Sequence, residues 1–203
     1  MGFSTILDIL GSMIIGGFLM LLLWQIDDAA VQNVFNNSEE LILQQNLATT
    51  SEILEHDFRR IGYCKNYSLI PKTNVIVSAT DTSISFLTDV NDQGNVDVLK
   101  YYIGPTSDLA STPNPRDRFL YRVVNNETPV GVNLGITQFK LVYFTVYGDT
   151  LHTPITDLSL ISTMEINISV ENVVGYGGVD DNNKYSSAFW RQIRLAAMNL
   201  SKR

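Results

Sequence analysis

No lysine or arginine occurs before Arg59, no proline before Pro71, and no glycine between Gly17 and Gly62. Cysteine appears once, as Cys64, and histidine twice, as His56 and His152. Charged residues make up only 17% of the 203, and acids outnumber bases 21 to 14, for a net charge of −7. Each shortage excludes something. So little positive charge leaves no phosphate-neutralising surface, so nucleic acid is not an expected partner. A single cysteine cannot close an internal disulfide, which removes the disulfide-scaffold class. The 45% hydrophobic composition is too apolar for a disordered tail. Two histidines with no cysteine or second histidine at metal spacing give no zinc signature. No phosphate-binding loop, nucleophile elbow or paired-cysteine motif is present either, so the reading is not an enzyme, with no small-molecule substrate.

What remains is one folded domain with an apolar N-terminal extension. From Phe3 to Ile26 the only strongly polar side chains are Ser4, Thr5, Asp8, Ser12 and Gln25. As a helix this stretch would be roughly 36 Å long, enough to cross a hydrocarbon core with some tilt. A cleaved secretory signal would want a basic leader, a shorter apolar run and a small-residue cleavage site, whereas here the run continues through Leu21, Leu22, Leu23 and Trp24. A membrane span is therefore expected. The flank after it carries Asp27, Asp28, Glu39, Glu40, Glu52, Glu55 and Asp57 before any base. Basic residues resist translocation and acidic ones mostly do not, which predicts a cytoplasmic N-terminus with everything after Ile26 outside.

Between the span and Gly62 the apolar residues Val31, Phe35, Ile42, Leu43, Leu47, Leu54, Phe58 and Ile61 recur at helical intervals. The span is thus expected to run on into an amphipathic helix, either broken near Asp27 and Asp28 or, if continuous from Phe3 to Ile61, on the order of 90 Å long. Gly62 is the expected stop, with Arg59 and Arg60 in a last turn whose dipole favours positive charge. After Gly62 short alternating runs separated by turn residues predict an antiparallel β-domain. Strands are expected over 74–79, 83–88, 96–103, 119–124, 129–134, 138–147, 163–172 and 187–199. In the clearest, Met164, Ile166, Ile168 and Val170 face a core while Glu165, Asn167, Ser169 and Glu171 face water. The fold class expected is α+β, divided into residues 1–26 (membrane helix), 27–62 (amphipathic helix) and 63–203 (β-domain), with the amphipathic helix covering the sheet.

This layout resembles that of type IV pilins and pseudopilins: a short leader ending in Gly2, then Phe3, an apolar helix, an amphipathic continuation and a β-domain. The stretch Asp57-Phe58-Arg59-Arg60-Ile61-Gly62-Tyr63 is similar to the helix-end motif of the larger minor pilins, the W type of type IV pili and the J type of type II secretion. The run from Gly135 to Tyr143 with Tyr147-Gly148-Asp149, and the run from Phe189 to Leu200, are similar to the mid-domain and C-terminal strands of the same group. The resemblance implies processing between Gly2 and Phe3. It also implies assembly through the N-terminal helix into a pilus or secretion pseudopilus, with other pilin-like membrane subunits as partners. This chain departs from the pattern at two points. Family members carry a glutamate at the fifth mature position, where this chain has Leu7, with Asp8 one place later. The basic residues that normally precede the cleaved glycine are missing as well.

The residues singled out for assembly are Phe3, Asp8, Gly11, Gly16 and Gly17. Asp8 either meets a partner charge inside the membrane or stays hydrated near its surface. The three glycines, with Ser12, are read as a small-residue face for close helix approach. Two loops crowd oxygen ligands and are the weak calcium candidates: Asp89, Asn91 and Asp92, and Asp180 with Asp181. The first begins like an EF-hand loop but has Lys100 where the bidentate glutamate belongs; the second reads equally well as a Gly-rich turn. Otherwise no cofactor is expected. Sequons for asparagine glycosylation stand at Asn36, Asn66, Asn126, Asn167 and Asn199. Three readings follow: a minor pilin or pseudopilin subunit in the inner membrane with its β-domain periplasmic or extracellular, a single-span accessory subunit of another membrane complex, or, from the acidic loops and the aromatics Tyr101, Tyr102, Tyr185 and Trp190 alone, an exported module that binds carbohydrate or calcium.

Overall fold

The structure, a computed structural model, describes residues 2–71, 73–172, 185 and 187–195. Among the described residues it comprises one α-helix, α1 (Gly2–Arg59), nine strands and two 3-10 turns, Thr106–Leu109 and Leu158–Leu160. The strands are β1 (Ile76–Ala79), β2 (Ser83–Thr88), β3 (Asp97–Ile103), β4 (Leu120–Val124), β5 (Val130–Val132), β6 (Ile136–Phe144), β7 (Thr150–Leu151), β8 (Thr163–Glu171) and β9 (Ser187–Leu195). All pairings are antiparallel, in two sheets ordered β1-β2-β3-β4-β5 and β7-β6-β8-β9. This is the expected α+β class, a long apolar N-terminal helix packed on antiparallel sheet. The chain divides into two compact units, Met1–Leu41 and Ile42–Arg203.

α1 is unbroken through Asp27 and Asp28, the continuous one of the two alternatives. No proline or glycine lies there to open the backbone ladder, and Gln32 Nε2 instead bonds the Asp28 carboxylate at 3.2 Å along the helix surface. The helix ends at Arg59. The amides of Arg60 and Ile61 tighten back onto the carbonyls of Asp57 and Phe58, and Gly62 takes a left-handed φ of 73° and donates its amide to the Leu87 carbonyl. The stop expected at Gly62 is thus made by a residue able to turn the chain out of the helix while its amide bonds β2.

In the second unit one core collects Leu43, Leu54 and Phe58 of α1, Ile61 in the turn just after it, Ile84, Phe86, Leu99 and Tyr101 of the first sheet, and Phe139, Tyr143, Met164 and Ile166 of the second. Each fully buried aliphatic or aromatic side chain contributes about 1.5–3 kcal/mol. The inward row of the helix is Leu43, Leu47, Leu54 and Phe58; Ile42, one residue and about 100° from Leu43, is exposed. Val31 and Phe35, also placed on the apolar face from sequence, lie in the first unit and are exposed.

The strands depart from expectation where turn chemistry intervenes. β1 starts at Ile76 because Asn74 has a φ of 61°. β6 starts earlier, at Ile136, through a bulge before Gln138, and stops at Phe144 because Thr145–Asp149 closes a turn around Gly148, leaving Tyr147 almost wholly exposed at its tip. That turn also makes β7, which sequence did not anticipate. β8 corrects the water-facing assignment: Glu165 and Ser169 are buried, because β8 is an inner strand flanked by β6 and β9. The described part of the last strand ends at Leu195, so the remainder of the expected run to Asn199 lies outside the described residues.

Candidate functional site

Of the residues assigned to assembly, Gly2, Phe3, Asp8, Gly11, Gly16 and Gly17 all fall on α1. From Ile6 to Ile26 every large apolar side chain is exposed, and the helix is long and apolar enough to cross a membrane. An apolar surface of that extent is stable only in lipid or against another protein, so this segment fits a membrane-spanning helix. Asp8 is exposed, and Ser12 one turn on donates its hydroxyl to the Asp8 carbonyl at 2.7 Å. Helical geometry puts Asp8, Ser12 and Gly16 in one row at intervals of four. Gly11 and Gly17 stand about 140° and 100° from Gly16, so the three glycines do not share one face, correcting the reading of the sequence. A Cβ at any of the three would meet nothing within 4 Å, leaving room for a neighbouring backbone.

The end of α1 is fastened by a polar cluster that the sequence reading missed. The Asp57 carboxylate accepts from Tyr101 Oη and from Arg122 Nε at 2.8 Å, and Arg122 also reaches Tyr101 Oη at 3.1 Å. Tyr101 and Arg122 face each other across the β3–β4 ladder, so two neighbouring strands present both donors to one helix residue. Burial by itself would raise the Asp57 pKa, but the Arg122 guanidinium, the Tyr101 hydroxyl and His56 together hold it below the usual carboxylate range. The Tyr101 phenol is pushed up by its burial and by the Asp57 charge, so it remains a donor. The signal was present in sequence: Asp57 stands three residues after Leu54, on the row that otherwise reads as core.

The acidic loop candidate resolves into hydrogen bonds. Asp89 is buried, and its carboxylate accepts from the amides of Lys65, Gln93 and Gly94. Burial would raise its pKa, but these amides, with Arg60, lower it. The Asn91 side chain accepts from the Gln93 amide, and Asp92 pairs with Arg60 at 2.7 Å. Arg60 also donates to the Asp89 carbonyl and lies 4.9 Å from the centre of the Tyr63 ring. The oxygens that suggested calcium are thus engaged in tying the helix end to the β2–β3 loop. Asp89→Ala is expected to lower the Tm by several degrees by stranding three amides, whereas Asp92→Ala, which breaks a surface pair, leaves it almost unchanged; thermal unfolding by circular dichroism distinguishes them. Asp180 and Asp181 lie outside the described residues. Among the described residues no three His, Cys, Asp or Glu side chains converge on a metal position.

No protein-family description, no curated protein and no solved structure matches this chain.

Proposed function

We propose that this chain is a structural subunit of the minor-pilin or pseudopilin kind, which assembles through its N-terminal helix into a pilus or secretion pseudopilus. The observation that carries the reading is the division of labour along α1. One row of its later residues, Leu43, Leu47, Leu54 and Phe58, packs into the β-domain core, while Ile6 to Ile26 expose apolar side chains on every side. Such a segment serves as a single-pass anchor and as an assembly surface, with the row of Asp8, Ser12 and Gly16 facing a neighbouring helix and the N-terminus in the cytoplasm. The β-domain is then displayed on the exported side. The second reading, an accessory subunit of another membrane complex, draws on Leu7 in the fifth position counted from Phe3, with the nearest acid, Asp8, one place later.

Intact mass and N-terminal sequence of protein purified from its native membrane test this directly. A chain beginning at Phe3 and arriving with other pilin-like subunits is the expected result; one retaining Met1 among unrelated membrane proteins selects the accessory reading. Asp8→Asn is expected to reduce incorporation into the parent assembly severalfold, measured by quantitative immunoblotting of that assembly. Undiminished incorporation would remove Asp8 from the interface.

A further inference from the structure

The loop between the 3-10 turn Thr106–Leu109 and β4 leaves the first sheet and returns to it, yet its polar groups are fastened to the second. Asn114 Nδ2 donates to the Glu171 carboxylate at 3.0 Å and to the Asn172 carbonyl at 3.2 Å. Arg116 Nε donates to Glu171 at 2.9 Å, and the Arg118 amide to the Ile136 carbonyl at 2.9 Å. Among these ties sits Asp117, with 1% of its surface exposed. Neither oxygen of its carboxyl group has a hydrogen-bond partner among the described residues. Asp57 and Asp89, the other buried aspartates among the described residues, are each supplied with donors. Around Asp117 the donors are engaged elsewhere. The Thr112 hydroxyl bonds the carbonyls of Leu109 and Asn114, Arg116 is held by Glu171, and Arg118 is directed to the Gly104 carbonyl at 3.5 Å. Glu171, on β8, adds negative charge instead of countering it.

A buried carboxyl group is made tolerable by donors, by a counter-ion or by a proton, and the first two are not in place here. We propose that Asp117 is carried uncharged in the folded β-domain, and that its ionisation on rising pH releases the loop 110–118 from the second sheet. The neutral acid loses only the hydration of an ordinary polar group on burial, whereas the carboxylate loses that of a full charge. Water reaches that charge when the loop lifts, and lifting breaks the ties made by Asn114, Arg116 and Arg118. Asp117 thus acts as a proton-operated latch on the seam between the two sheets. Burial and the Glu171 charge both hold its pKa above the ordinary carboxylate range. Its contribution to stability is therefore complete below the unfolded value near 4 and is lost as pH rises through the folded one. Asp57 and Asp89, whose pKa values are depressed, act with the opposite sign and weaken the fold on acidification.

The test uses the full-length chain in detergent micelles. At about pH 5.5, where an ordinary aspartate is ionised, infrared spectra of the wild type should contain the carbonyl band of a neutral carboxylic acid, absent from Asp117→Asn. The Tm of the wild type relative to Asp117→Asn should fall by roughly 3–5 °C for each pH unit between the unfolded and folded values, and then level off. Over the same range the Arg118 amide should exchange its hydrogen faster than intrinsic chemistry requires, in the wild type and not in the variant. Three results would overturn the proposal. One is a wild type without the neutral-acid band, which needs no variant to read and would mean that an internal water supplies the donors to an ionised Asp117. Another is a Tm difference between the two proteins that does not change with pH. The third is unchanged protection of the Arg118 amide as Asp117 ionises, which would leave a buried proton that holds no latch.

Discussion

Arg122→Ala is expected to destabilise the β-domain by about 2–4 kcal/mol, a fall in Tm on the order of 10 °C, measured by thermal or urea unfolding. The size follows from what the substitution leaves behind. The Asp57 side chain is 10% exposed, so removing its cation leaves a nearly buried carboxylate held only by the Tyr101 hydroxyl and His56. Arg122 itself is 33% exposed, and solvent entering its place keeps the cost below that of a sealed pair. A second substitution separates charge from packing: Asp57→Asn in the Arg122→Ala background should recover part of the loss, because the stranded charge goes with it. The pH dependence gives an independent reading. The folded pKa of Asp57 is depressed, so its contribution is complete above the unfolded value near 4 and is lost as pH falls toward the folded one. In Arg122→Ala burial still disfavours the carboxylate while its main counter-charge is gone, so the loss of stability between pH 5 and 3 should be smaller than in the wild type. An undiminished acid loss would mean that Asp57 is not the group responsible.

Much of this architecture was legible in the sequence, and the parts that were not share a cause. The strand over Ser83–Thr88 falls where alternation placed it, and α1 ends just before Gly62 because only a residue free to take a left-handed φ could turn the chain there. Periodicity found Leu43, Leu54 and Phe58 but also admitted Ile42, since a spacing rule does not say where a covering sheet lies. What could not be read were pairings between distant residues. Asp57 was visible as an acid on an apolar row, but its partner is 65 positions away on β4 and is brought opposite by the β3–β4 register. The same holds for the burial of Glu165: alternation shows that a side chain leaves the core face, while strand order decides whether that side is open. At the acidic loop, composition suggested a metal because oxygens crowd together. The structure shows that crowding satisfied by amides at Asp89.

Phe58→Ala should have the largest effect of any substitution on α1, about 3–5 kcal/mol. Phe58 has no exposed surface, and its ring meets Phe86 edge-on at 5.5 Å and Tyr101 at 5.6 Å. Truncation therefore removes the transfer free energy of the ring and the aromatic contacts, and it leaves a cavity in a region framed by a helix and a sheet that cannot both close over it. Val31→Ala, on the same helix but at an exposed apolar position, should change stability in micelles by no more than about 0.5 kcal/mol. The contrast tests the division of labour on which the proposed function rests, because exposed apolar residues before Leu41 should matter for assembly and the buried row of Leu43, Leu54 and Phe58 for folding. The two large effects are also coupled. Phe58 packs on the ring of Tyr101, whose hydroxyl is held by Asp57 and Arg122, so the double variant Phe58→Ala with Arg122→Ala should cost less than the sum of the single losses. A Phe58→Ala penalty below about 1 kcal/mol, or strict additivity with Arg122→Ala, would show that the helix end is not held by this shared contact.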